Sequence, residues 1–364
     1  MRGTDERTRA LHALGAPRLE LEEVRATRRG GFFHIALLAV LLSSSPAGAE
    51  GASLTSFEVN IVASHSGQEG WSGQVPHSQR NSVGFEHFAR LAGPRGDFLT
   101  LNVQARLSYD TSVDPDDALA LELHNAFAEV RLGLGRKVRV GHFAPEFGLE
   151  PAVDTHGTLL QTLAIRDIGF KKDWGIGYRT ALDAVNVGIA AQLGAGMGIE
   201  RRDGSYLVSA RMSTPTRGNP VLGVSALLGE MLSGTRPSLY PAPEYGDHVT
   251  SKTRLGADAS YVWRRFTLAA ELSSGKNDER ETLGGVLLID YTHPGNDRLA
   301  LRGRVLTWTD DPDDGDSLWS EVALVGSYSV TSRWTLRLLA ARELAAATGP
   351  EQTRFAVQAY YLGG

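Results

Sequence analysis

Arginine recurs along this chain at positions out of step with its apolar neighbours. Arg106 follows Thr100, Asn102 and Gln104 at two-residue intervals, Arg131 shares a phase with Asn125 and Glu129, and Arg139 stands with Lys137 and Gly141. Arg179, Arg211, Arg254, Arg302, Arg304, Arg337 and Arg354 repeat the relation further along. A guanidinium stays charged at ordinary pH and offers a planar fork of donors that fits carboxylate or phosphate. Ranged along an aqueous passage with low-dielectric walls, such groups concentrate anions and repel cations. Acidic residues in the same phase are fewer, Glu129 and Asp258 being the clearest. The competing reading is that these arginines pair with acidic loops or simply keep one face wet.

The phase itself belongs to β-strands. Residues 98–109 put Leu99, Leu101, Val103, Ala105 and Leu107 on one face and Thr100, Asn102, Gln104, Arg106 and Ser108 on the other, a strict period of two. Strands of a soluble sandwich run about five or six residues, whereas a tilted strand needs about 9–11 to cross a bilayer. The alternation predicts sixteen strands, over 52–64, 82–92, 97–110, 119–133, 136–144, 174–182, 184–194, 204–214, 219–231, 252–263, 265–275, 281–292, 297–309, 318–330, 333–344 and 352–362. Their connections alternate between long and short, the second signature of an outer-membrane barrel. The expected fold is therefore all-β, a 16-stranded antiparallel transmembrane β-barrel occupying 50–364. Closure follows because an unpaired backbone group in hydrocarbon costs several kcal/mol. Tyr109, Trp174, Trp263, Tyr291, Trp308, Trp319, Tyr328, Trp334, Tyr360 and Tyr361 lie near predicted strand ends, where two interfacial girdles would need them. A soluble periplasmic all-β protein is the alternative.

The first 49 residues read as an export signal. Arg28 and Arg29 precede the apolar run 32–42, and Ala47, Gly48 and Ala49 supply the small residues of a cleavage site. The run is short of the roughly 20 apolar residues of a membrane-spanning helix. Residues 1–27 are long for a charged leader end, so the expectation is an N-terminal extension from a start assigned too early, with Val24 as a candidate start. The chain carries no cysteine, so export would occur without a disulfide framework. Its net charge of −5 implies no nucleic-acid surface. Asp-rich tracts at 114–117, 277–281 and 310–316 read as exposed loops.

The connection 145–173 is the longest, and Leu159, Leu160, Leu163, Ile165, Ile168 and Phe170 give it an apolar content that a solvated loop has little use for. Folded inward, it would bury these residues on the wall, narrow the lumen and present Arg166, Lys171 and Lys172 to solute. An outward lid or a subunit contact is the alternative. The proline-rich connection 232–251 reads as a stiff outer cover.

Around this connection the residues Val138-Arg139-Val140-Gly141-His142-Phe143-Ala144-Pro145-Glu146-Phe147-Gly148-Leu149-Glu150, with Ile165-Arg166-Asp167-Ile168-Gly169, resemble the central region of the phosphate-selective porin O and P family. The match covers roughly 35 residues. The resemblance implies a sixteen-stranded porin, a homotrimer in the outer membrane of a Gram-negative bacterium, with this loop as a constriction in the pore. It implies passive diffusion of small anionic or polar solutes, phosphate among them, through a barrel set in outer-membrane lipid. The family's phosphate-binding lysines find no assigned positions here, because lysine is scarce in the predicted strands and arginine would have to stand in, and the chain ends in Gly363-Gly364 where common porins end in Phe.

Catalytic chemistry finds little support. No Gly-x-Ser-x-Gly or His-Glu-x-x-His occurs, and the ten histidines are scattered, with His87, His124 and His142 on predicted strands. Gly194-Ala195-Gly196-Met197-Gly198 ends a strand without opening a helix, unlike a nucleotide loop. The expectation is a protein that is not an enzyme and needs no cofactor or metal. Its competitor is a non-conducting structural or adhesin-type barrel that sheathes a partner protein.

Overall fold

The computed structural model describes residues 50–364 apart from 69, 76–77, 95, 112–117, 199–203, 233–248, 313–316 and 348–349. The leader reading over 1–49, the acidic tract 114–117, part of 310–316 and most of the proline-rich 232–251 connection lie outside the described residues.

The strands are β1 (Glu50–Ser66), β2 (Gly70–Ser72), β3 (Gln74–Val75), β4 (Gln79–Gly93), β5 (Gly96–Tyr109), β6 (Leu119–Gly133), β7 (Arg136–Phe143), β8 (Asp173–Ala181) and β9 (Asn186–Gln192). They continue as β10 (Tyr206–Ser213), β11 (Val221–Leu232), β12 (Val249–Trp263), β13 (Phe266–Asn277), β14 (Arg280–Thr292), β15 (Leu299–Thr309), β16 (Trp319–Ser329), β17 (Trp334–Ala345) and β18 (Thr353–Gly363). The sixteen expected strands are all present, displaced by no more than about three residues at their ends, within the usual uncertainty of such boundaries. β2 and β3 are short additions inside the first long connection, too brief to register as alternation. Consecutive long strands pair antiparallel, and β1 pairs with both β4 and β18, so the sheet closes on itself as a barrel.

The side chains follow the pleat with polarity reversed relative to a water-soluble protein. In β12, Thr250, Lys252, Arg254 and Asp258 are buried while Leu255 is 70% exposed. In β5, Asn102, Gln104, Arg106 and Ser108 are buried and Leu107 is exposed. Polar residues therefore point inward and leucines outward, the arrangement demanded when the outer solvent is hydrocarbon.

The interior face is not uniformly polar. Leu207, Leu227 and Met231 on one side and Val325, Leu339 and Ala356 on another face inward and are buried. Each such patch has a partner in the connection 145–173. Phe147, Ala164, Ile168 and Phe170 pack on the first, Leu159 and Leu160 on the second. Leu149 and Leu163 settle among Ala269, Val286, Leu288, Leu306 and Trp308. Burying a leucine contributes roughly 1.5–3 kcal/mol, which accounts for the composition of this connection. Within it one helical turn, α1 (Ala164–Asp167), was not anticipated.

The aromatic residues divide. Trp263 stacks with Phe266 at 5.9 Å, Phe266 meets Tyr291 at 4.9 Å and Trp334 meets Tyr361 at 5.2 Å, all at the short-turn end on the outer face. Trp174, Trp308 and Tyr360 belong instead to the interior, contrary to their assignment to a girdle. Trp174 Nε1 donates to the Met197 carbonyl at 3.1 Å, Trp308 packs on Leu163, and the Tyr360 hydroxyl donates to Glu58 at 2.9 Å. Parity along the strand, not nearness to its end, decides which way an aromatic points.

Candidate functional site

The segment between β7 and β8 is tied to the wall by its own backbone. The amides of Glu146, Gly148 and Leu149 donate to Ser209 Oγ at 2.9 Å, Ser225 Oγ at 3.1 Å and Glu271 Oε2 at 2.9 Å, crossing β10, β11 and β13 in turn. Its carbonyls are taken from the other side. Gly157 accepts from Arg337 Nη1 at 2.8 Å, Thr158 from Gln79 Nε2 at 2.9 Å, Gln161 from Arg304 Nη1 at 3.1 Å and Ile168 from Lys252 Nζ at 2.7 Å. A buried loop must satisfy its peptide groups in some such way, and here inward-facing wall side chains do it.

Two glycines permit the close approach. Gly148 has φ +52°, and a Cβ there would stand 2.1 Å from Glu271 Oε1; at Gly157, φ is +67° and a Cβ would stand 2.7 Å from the Tyr360 ring. Gly148→Ala is expected to cost on the order of 1–3 kcal/mol through left-handed backbone and collision together. Urea unfolding of the purified barrel checks this, and a midpoint equal to that of the parent would mean that Glu271 moves aside freely.

The segment occupies the side of the lumen bounded by β10–β18 and leaves a cavity of about 230 Å³ against the opposite wall. Arg106, Arg139, Arg179, Lys171 and Lys172 line it with His124, Asn125, His156, Glu150 and Asp154. A second recess, of about 50 Å³, is lined by Arg166, Arg304, Arg354, Glu321 and Trp319. Arg131, Arg211, Arg254, Arg302 and Arg337 line neither. The thirteen basic residues singled out from sequence thus fall into three groups.

Most of the arginines have carboxylate partners, and more acid faces inward than the sequence indicates. Arg139 bonds Glu129 at 2.6 Å, and Arg179 bonds Glu146 at 2.5 Å. Arg211 forks onto Asp258 at 2.5 and 2.9 Å. Arg302 pairs with Asp290, and Arg304 and Arg354 share Glu321. Arg254, wholly buried, grips Asp167 of α1 through Nε and the Asp167 carbonyl through Nη2 at 3.1 Å. Arg106 lies 3.5 Å from Glu58 and 3.6 Å from Glu122. Arg337 bonds Gln358 at 2.9 Å besides the Gly157 carbonyl. Arg131 is exposed opposite Lys137, and Arg166 lies 4.2 Å over the Trp319 ring.

Lys171 and Lys172 stand apart. Among the described residues neither has a carboxylate within ion-pair distance. Lys171 donates to the neutral oxygens of Thr155 and Gln161, and Lys172 donates to Asn125 Oδ1 at 3.1 Å. Burial pushes the Lys171 ammonium down to about 8, against the pull of Glu150, and lowers Lys172 as well. The same burial pushes the Glu150 carboxyl up, weakening the negative charge on that wall.

His156, which the sequence reading did not single out, fixes the loop tip. Its Nε2 donates to Glu58 at 2.5 Å, leaving Nδ1 to accept from Arg106 Nη2 at 2.8 Å. Its ring meets that of His124 edge-on at 4.5 Å. Only the barrel's register brings these residues together from β1, β5, β6 and the loop.

No protein-family model and no curated protein sequence matches the chain. Solved structures do. An anion-selective porin from Comamonas acidovorans aligns with TM-score 0.60 at 13% identity, covering 86% of this chain and all of that one. The trimer form of in-vitro folded OmpT, an outer membrane protein of Vibrio cholerae, gives 0.61 at 11%, covering 86% and 99%. The outer membrane channel DcaP of Acinetobacter baumannii gives 0.56 at 11%, covering 88% and 99%. The chain has the fold of these outer-membrane proteins, a porin and a channel among them.

Proposed function

We propose that this protein is an outer-membrane porin of a Gram-negative bacterium, giving small hydrophilic solutes passive diffusion and favouring anions, phosphate included. Solute passes between the β4–β8 wall and the loop residues Glu150 to His156, Lys171 and Lys172. The loop acts as the constriction, a reading supported by its packing on the inward patches of the β10–β18 wall. The observation that carries the anion preference is the pair Lys171 and Lys172, which line the cavity and have no carboxylate at ion-pair distance among the described residues, with Glu150 and Asp154 further off in the same lining. The arginines beside them are largely neutralised by partners and act as donors to the wall and loop. A homotrimer accords with the fold's porin likeness, and the leucine-rich exterior is the surface it would share between lipid and neighbouring subunits. The structural or adhesin-type barrel that sheathes a partner is the second reading, and the loop packed on the inner wall is what counts against it.

Reversal potential across a planar bilayer under a salt gradient tests the reading. Stable conductance steps with anion-selective reversal are expected, with phosphate reducing the chloride current; a protein that inserts but never conducts would leave the sheath reading standing. The selectivity should also depend on pH in one direction. Lys171 is charged below about 8 and neutral above it, so anion preference should decline as pH rises through about 7 to 9. A preference that strengthens over that interval would exclude Lys171 as its source.

A further inference from the structure

The two ends of the barrel carry opposite charge. At one end Asp310, Asp311 and Glu351 stand in the connections after β15 and β17, and Asp278 and Glu279 form the two-residue turn after β13. The short turns present Arg136, Arg217, Arg264, Arg265, Arg298 and Arg333, all exposed. Of these only Arg265 has a carboxylate within 4 Å among the described residues, Asp297 at 4.0 Å. Nothing in the passage described above uses these six.

Their surroundings identify what they could meet. Arg264 and Arg265 form the two-residue turn between Trp263 and Phe266, the stacked pair on the outer face, and the Arg264 guanidinium lies 5.4 Å over the Trp263 ring. Arg333 immediately precedes Trp334, which contacts Tyr361. Arg298 lies in the turn after β14, whose Tyr291 contacts Phe266. Exposed aromatic rings at strand ends mark the level where hydrocarbon gives way to headgroups. A guanidinium one residue beyond such a ring therefore sits at headgroup phosphate depth, within reach of a phosphodiester it can hold with two donors.

We propose that the short-turn rim is a binding surface for anionic phospholipid headgroups of the leaflet it meets, centred on Arg264, Arg265, Arg298 and Arg333 beside the Trp263, Tyr291 and Trp334 rings. This rests on the membrane-spanning reading. It is independent of anion passage, since the rim residues lie outside the constriction. The rim selects phosphatidylglycerol over zwitterionic lipid, while the acidic residues at the other end do not attract it.

The test uses the full barrel reconstituted in phosphatidylcholine vesicles containing either spin-labelled phosphatidylglycerol or spin-labelled phosphatidylcholine. The relative association constant comes from the motionally restricted fraction in the electron paramagnetic resonance spectrum. A preference of about three- to fivefold for the anionic lipid at low salt is expected, falling toward one in 1 M salt. The quadruple variant Arg264→Gln, Arg265→Gln, Arg298→Gln, Arg333→Gln should lose it while keeping the parent's conductance and reversal potential. A parent that conducts normally yet shows no preference overturns the proposal and leaves the porin reading intact. A parent that fails to insert removes the membrane-spanning reading beneath both. A preference that survives in the conducting quadruple variant also overturns it, as does co-sedimentation of the parent, but not the variant, with peptidoglycan sacculi in the absence of any lipid preference.

Discussion

Under the proposed function, Lys171→Glu with Lys172→Glu should shift selectivity from anions toward cations, changing the permeability ratio by about tenfold or more. The exchange replaces two positive charges with two negative ones in the lining of the cavity that the loop leaves free, where they are screened less than in bulk water. Reversal potential in a salt gradient reads the result directly. Arg211→Gln and Arg302→Gln supply the comparison. Both arginines are paired, with Asp258 and Asp290, and neither lines the cavity, so each should leave the ratio near that of the parent. Equal shifts from all of these variants would mean that selectivity arises from total lumen charge and not from the lysine pair.

The second large effect is expected at Arg254. Its guanidinium is fully buried, donates to Asp167, Thr253, Lys276 and Asn277, and lies 5.5 Å over Trp308. Arg254→Leu would strip the buried Asp167 carboxylate of its ion-pair partner and leave it only the more distant Lys252, a loss of about 3–5 kcal/mol. Adding Asp167→Leu removes that stranded charge, and much of the lost stability should return. The single variant should also free the α1 end of the loop and raise conductance and its fluctuation. Urea unfolding and single-channel recording separate the two consequences. A double variant no more stable than the single would show that the other acceptors of Arg254, not Asp167, dominate its contribution.

The strands and the inward direction of the polar face were legible in the sequence because a pleat converts period two directly into two faces. Arg254 beside Leu255 is the same fact in the chain and in the barrel. The charge balance was far less legible. Arg302 faces Asp290 and Arg139 faces Glu129 across neighbouring strands, and such pairs need the register of the hairpin, which a shift of one residue would dissolve. Glu321 and Glu58 are in phase with the inward positions of β16 and β1, and that parity was the signal available for them. The shared partner of Arg304 and Arg354, or the joining of Glu58 to His156, required closure and the path of the loop. The lysine pair could be recognised as cations on that loop, but that Glu150 and Asp154 share their cavity without coming to ion-pair distance is a property of three-dimensional placement alone.

The loop tip also bears on how the barrel holds shut. A closed sheet has one place where strands from opposite ends of the chain meet, and here it is the ladder between β1 and β18. His156 bonds Glu58 on β1, while the Gly157 carbonyl accepts from Gln358 on β18 and Arg337 on β17. A segment from the middle of the sequence thus clasps both lips of the seam from within. Unzipping β1 from β18 would have to break these bonds as well as the ladder, so the loop that lines the cavity also acts as an internal rivet on the joint that closes the barrel.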